Sequence, residues 1–166
     1  KEEFERDLET LSEGLEAQGA GLLAEGRLKA LRRKASVFGF HLAPIDLRQS
    51  SDAHAATVAE LLEKAGVEEN YLGLAEERRR EVLNAELKGM RPLVVPHLHY
   101  SGKTTAELGV VAAAATAQRR LGAAVCSKYV ISHCESVSDL LEVGVLLREA
   151  GLLRSGAGPA AYVQLS

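Results

Sequence analysis

The sequence predicts a helix-rich α/β fold in which a few parallel strands are set among many helices. Three observations lead there. Runs of β-forming residues at 37–48, 124–132 and 160–165 are short and widely spaced. Between them, apolar residues recur every three or four positions, the period of an amphipathic helix. Strands separated by helices pair in parallel through right-handed crossovers. The helical content exceeds that of a plain flavodoxin-like domain. The pattern fits part of a TIM-type (β/α) barrel with helical insertions.

Composition bounds the rest. The chain has 166 residues, 46% of them apolar and 26% charged, which is ordinary for a globular protein. A compact chain of this size buries roughly 70% of the surface its unfolded form exposes. Its longest apolar run, Gly109 to Ala117, falls far short of the roughly 20 residues that cross a bilayer, so no membrane span is expected. A net charge of −3 weighs against a nucleic-acid partner. The basic clusters at 32–34 and 78–80 have acids nearby and read as solvated helix faces. Cys126 and Cys134 show neither a disulfide framework nor zinc spacing, which points to a reducing compartment. The opening run Lys1-Glu2-Glu3-Phe4 has no initiator methionine and no signal-peptide pattern, as expected of a fragment.

The elements follow in order. Phe4, Leu8, Leu11 and Leu15 form one stripe down a first helix. Gly19 and Gly21 interrupt it, and Leu22, Leu23, Leu28 and Leu31 resume the pattern, giving a helical lead-in over 1–34. Val37 to Leu42 alternates with period two and opens the first barrel strand, 37–48. Pro44 breaks the alternation, and Ile45 to Arg48 resumes it with the phase shifted, as a bulge would produce. Ser50, Ser51 and Asp52 supply N-cap oxygens for a helix carrying Val58, Leu61 and Leu62 and closed by Gly66.

That helix begins a helical insertion over 52–121. A second helix there runs from about Ala75 to Lys88, with Glu76 and Arg80 at paired spacing and Gly89 as its stop. A proline-bounded loop follows. Thr104 and Glu107 then have capping-box spacing at the head of an alanine-rich helix ending at Gly122. The second strand spans 123–132, and its apolar end predicts burial on both faces. Ser136 and Asp139 start a helix over 136–150, stopped by Gly151. A glycine-rich connection leads to the third strand, 160–165. All of this is expected to be one piece of a larger barrel domain.

The strongest chemical signal lies at the end of the first strand. Asp46 and Arg48 share one strand face, and Ile45 and Leu47 share the other. In barrels the working residues sit at the C-terminal ends of the strands. Arginine's planar fork suits a phosphate or carboxylate ligand, with Asp46 holding it. The competing reading is a buried Asp–Arg pair that only ties strand to helix. His97 and His99 lack a third ligand at familiar spacing and read as surface residues. His54 lies one turn into a helix, facing the same site or fixing the helix start. His133 follows the second strand in isolation. No nucleotide-binding fingerprint and no activated nucleophile is present.

Longer blocks of sequence add what spacing cannot. The run from Val37 to Gln49, read Val-Phe-Gly-Phe-His-Leu-Ala-Pro-Ile-Asp-Leu-Arg-Gln, resembles a motif of bacterial phosphoenolpyruvate carboxylases. Downstream blocks agree in order: Glu86-Leu87 with Arg91-Pro92-Leu93, Tyr129 to Ser132, Ser138 to Val143, and Leu146 to Gly151. Ser50 departs from the family, which often has an acid or amide there.

The resemblance implies a helix-rich β/α-barrel enzyme, cytoplasmic and usually a homotetramer. Such an enzyme carboxylates phosphoenolpyruvate with bicarbonate, using Mg2+ or Mn2+, to give oxaloacetate and inorganic phosphate. It further implies that Arg48 contacts the substrate phosphate, with Asp46 and Gln49 in support. The family's essential histidine, acidic metal ligands and catalytic lysine match nothing here, so the fragment is expected to hold no metal and to be inactive alone. A reading of another class is a non-catalytic helical domain using the same scaffold for protein–protein contact.

Overall fold

The computed structural model describes residues 1–153 and the backbone of 164–165. Two compact units divide the chain, the first spanning Lys1–Pro44 and the second beginning at Ile45.

In the first unit, α1 (Glu2–Ala17) packs on α3 (Lys29–Phe38). Leu8 from the predicted stripe and Ala35 are buried, and Arg32 of α3 bonds both Ser12 and Glu9 of α1. Between them run a single turn, α2 (Gly21–Leu23), and a wide turn over Ala24–Leu28, where Gly26 leaves helical dihedrals. Phe4 and Phe40 stack with ring centroids 5.6 Å apart.

Here the predicted first strand needs correction. Val37 and Phe38 are the last turn of α3, and no strand begins before Asp46. A short alternating apolar run cannot be told from a helix end by period alone. The helix stops at Gly39, whose φ of 56° is a conformation glycine adopts without a Cβ clash. Val37 and Leu42 then remain 65% and 73% exposed, as no sheet burial rewards them.

The second unit carries the sheet. β1 (Asp46–Ser50), β2 (Lys128–Ser132) and β3 (Gln164–Leu165) lie side by side in that order, all parallel. The second strand is therefore shorter than 123–132, since residues 123–126 form a 3-10 turn. Residues 160–163 of the expected third strand, and most of the glycine-rich connection, lie outside the described residues. One layer of helices supplies the core: α4 (Ser51–Lys64), α5 (Glu76–Lys88), α6 (Gly102–Leu121) and α7 (Val137–Glu149). Val58, Leu61 and Leu62 of α4 meet Leu83 of α5, Val111 of α6, and Val143 and Leu146 of α7, with Tyr129 and Ile131 from β2. Truncating a fully buried leucine such as Leu61 to alanine would cost about 2–5 kcal/mol through lost burial and the cavity left behind.

Capping shows where the sequence signals hold. Ser136 and Asp139 form the full capping box at the head of α7. At α6 the cap is Ser101, which accepts from the Thr104 amide, while Glu107 reaches elsewhere. At α4 no side-chain cap bond forms; Ser51 instead donates to the His133 carbonyl at 2.7 Å. Glu76 leaves Arg80 and accepts from the Ser138 amide and hydroxyl at 3.0 and 2.6 Å. A partner that supplies two donors outcompetes an exposed i,i+4 ion pair.

α7 is pinned by further buried polar bonds. Tyr71 donates to Glu142 at 2.7 Å, and neither residue is exposed beyond 1%. Glu149 accepts from the Leu93 and Val94 amides, both at 3.0 Å, fastening the loop after α5. Burial, with a smaller push from Asp139, raises the Glu142 carboxyl to about 7, against the lowering effect of the Tyr71 bond. Between the ordinary value of 4.5 and about 7, folded Glu142 keeps a proton that the unfolded chain has lost. Stability thus declines as pH rises through that window. Urea unfolding at pH 5 and pH 8 should show this decline, and Glu142→Gln should shrink it by about 2–3 kcal/mol. An identical decline in the variant would contradict the assignment.

Candidate functional site

The chemistry-bearing strand is fixed by its pairing. β1 and β2 run in register from Asp46 opposite Lys128 to Ser50 opposite Ser132. Successive side chains in a strand alternate between faces. Leu47 and Gln49 therefore turn to the helix-covered side, where Tyr129 and Ile131 are buried. Asp46 and Arg48 turn to the other side, where Lys128 also lies exposed.

Arg48 meets its predicted neighbour. Its guanidinium lies 3.3 Å from an Asp46 oxygen, with the arginine side chain 71% exposed. An exposed pair of this kind is worth about 0–1 kcal/mol. This is not the buried strand-to-helix tie that spacing also allows, because both groups stand on one strand in the open. Such a pair orients a cation at little gain to folding.

Gln49 is not brought to the arginine. The resemblance implies that Gln49 supports Arg48; in this structure strand alternation puts it on the opposite face. Its amide donates to Glu107 of α6 at 2.6 Å, and its carbonyl oxygen accepts from the Ser50 amide at 2.8 Å. It ties β1 to its covering helices. Only backbone connects it to the arginine.

At the carboxyl ends of β1 and β2 lies a cleft of about 410 Å³, lined in part by Ser51, Asp52, Arg79, His133 and Asp139. His133 stands at φ 56°, the left-handed region that non-glycine residues rarely occupy, and turns the chain from β2 toward α7. Much of the cleft's polar lining is already engaged. The Asp139 carboxylate accepts from the Glu135 and Ser136 amides, both at 2.8 Å. Arg79 donates to the Leu72 carbonyl and sits 5.4 Å over the Tyr71 ring. His97 and His99 are exposed on their loop. Cys126 is buried and Cys134 exposed, both free thiols. Among the described residues, no group of three or more His, Cys, Asp or Glu could hold a metal ion.

His54 does not face this site. It is fully buried, with Nε2 2.8 Å from the Tyr129 hydroxyl, and so joins α4 to β2. Sequence reasoning misses Tyr71, Glu142 and the His54–Tyr129 pair as a polar core. Tyr71 falls between periodic segments, and a lone residue there carries no spacing signal.

With this geometry in hand, comparison with known proteins is decisive. Residues 1–165 match the family model described as phosphoenolpyruvate carboxylase. The chain belongs to the phosphoenolpyruvate carboxylase family. It is similar to the phosphoenolpyruvate carboxylase of Mycolicibacterium paratuberculosis, 51% identical over 160 residues, which cover 96% of this chain and 17% of that protein. The namesake enzyme of Paraburkholderia xenovorans is 50% identical over 158 residues, 95% of this chain and 16% of that protein. That of Azorhizobium caulinodans is 48% identical over 158 residues, again 95% of this chain and 17% of the relative. The chain thus spans about a sixth of the length of these carboxylases. Among its described residues, no helix is long and apolar enough to cross a membrane.

The core histidine gives a direct test. Burial pulls the His54 imidazole down to about 4, against a smaller upward pull from Asp139. Side-chain NMR should find His54 neutral until pH falls to about 4; protonation near pH 6 would contradict its place in the core.

Proposed function

We propose that this chain is a section of the catalytic barrel of a phosphoenolpyruvate carboxylase, and that Arg48 binds the phosphate of phosphoenolpyruvate. The supporting observation is the exposed Arg48, steadied by Asp46, near the C-terminal end of β1 on the sheet face opposite the helices. Parallel sheets are ordinarily covered on both faces. In the proposed parent enzyme, further strands curl this face inward and close a barrel. Arg48 then points into the interior, where barrel enzymes place their chemistry.

The parent reaction joins phosphoenolpyruvate and bicarbonate. A bicarbonate oxygen attacks phosphorus, the phosphorus–oxygen bond to the enol breaks, and carboxyphosphate and the pyruvate enolate result. The enolate carbon then takes carbon dioxide released from carboxyphosphate, giving oxaloacetate and inorganic phosphate. What Arg48 contributes is a fixed, permanently charged donor fork for the phosphoryl oxygens, presented in a water-poor barrel where such contacts gain strength. The Mg2+ or Mn2+ implied by the resemblance finds no ligand set among the described residues, and its ligands are proposed to lie elsewhere in the parent. The parent is proposed to be cytoplasmic and homotetrameric, as the resemblance implies.

Arg48→Ala in the parent enzyme should lower kcat/KM for phosphoenolpyruvate by roughly 100-fold or more, the scale of a lost charge-assisted contact. The 166-residue chain alone should form no oxaloacetate from phosphoenolpyruvate, bicarbonate and Mg2+. Full activity in the variant would return Arg48 to a structural role. Turnover by the isolated chain would overturn the view that it is only part of the machinery.

A further inference from the structure

The exposed face of β1 and β2 carries one cation more than the phosphate reading of Arg48 requires. Lys128 opens β2 directly opposite Asp46 in the parallel register. Opposed residues in neighbouring strands share a face, and the strands stand only about 4.8 Å apart. Asp46 therefore has two basic positions beside it: Arg48, two residues along its own strand, and Lys128, opposite it on the next. The Asp46–Arg48 contact of 3.3 Å is long for a charge-assisted hydrogen bond. Lys128 is itself exposed, on a flexible stem whose ammonium can reach a carboxylate one strand away.

We propose that Lys128 is a positioning residue, which neutralises Asp46 from the neighbouring strand and so leaves the Arg48 guanidinium free for an anionic substrate group. The inference rests on the reading of Arg48 as the phosphate contact and deepens it. A carboxylate beside an arginine competes with phosphate for the same N–H donors. With Asp46 and Arg48 alone, the carboxylate draws on the same guanidinium that a multiply charged anion must bind. Lys128 gives the carboxylate a second partner, so the arginine orients without being captured. Lys128 acts through Asp46, and this separates it from a lysine that touches substrate.

The test uses the parent enzyme and steady-state kinetics with phosphoenolpyruvate. Lys128→Met should raise KM about 10-fold and change kcat less than about 2-fold, as expected when Asp46 recaptures the guanidinium and substrate binding weakens. Lys128→Arg should restore KM. The decisive comparison is made in an Asp46→Asn background, where no carboxylate needs neutralising and Lys128→Met should shift KM less than about 2-fold. An unchanged KM in Lys128→Met overturns the proposal. So does a shift of equal size in the Asp46→Asn background, which would mean direct contact with substrate or a structural role. Arg48→Ala, measured alongside, separates the role of Lys128 from that of the arginine. If it abolishes activity while Lys128→Met is silent, only the role of Lys128 falls. If Arg48→Ala is itself silent, the phosphate reading and this proposal fall together.

Discussion

Everything about this chain's proposed site depends on one constraint: a parallel pair of strands with one face buried under helices, while Asp46 and Arg48 stand exposed on the other. Period-two alternation in β1 divides five residues between two environments. Leu47 and Gln49 are committed to the helix layer, and Asp46 and Arg48 to the other side. A slip of one residue in the pairing would drive Arg48 into the core beside Tyr129 and expose Leu47. The hydrophobic core of α4 to α7 therefore sets the register that presents the arginine. The charged pair adds little to folding, so its place on the strand is free to serve binding.

The helix layer is stiffened by buried polar bonds clustered on α7. Glu142 to Tyr71, Glu149 to the Leu93 and Val94 amides, and Asp139 in its capping box all anchor one helix to chain segments distant in sequence or to its own entry turn. Low local dielectric strengthens such bonds and makes each costly to break. The segment linking β2 to α7 is held from both sides, by Ser51 donating to the His133 carbonyl and by the Asp139 carboxylate binding two backbone amides. Rigid strand ends are what a phosphate-orienting arginine needs, because a misplaced donor loses most of its advantage in a charge-shifting reaction.

Some of this is legible in the sequence because its causes are local. The capping box at Ser136, the stop at Gly66, the stripe through Val58, Leu61 and Leu62, and the Asp46–Arg48 face all follow from short-range spacing. Other features depend on partners far along the chain. Val37 to Leu42 alternates like a strand, but the adjoining helix continues through Phe38 and Gly39 ends it. Gln49 sits beside Arg48 in sequence, yet its partner is Glu107, 58 positions away. Glu76 has an acceptable neighbour in Arg80, and only the fold brings it the two Ser138 donors. The family is readable because many blocks occur in order, whereas Tyr71 and His54 become a polar core only once β2 and α7 are packed against their segments.

The most direct measurement is a crystal structure of the parent carboxylase with a non-reacting phosphoenolpyruvate analogue. The account predicts the Arg48 guanidinium within hydrogen-bond distance of the analogue's phosphate, on a sheet face closed over by other strands of the same chain. Arg48 still lying on Asp46, with the phosphate bound elsewhere, would contradict it.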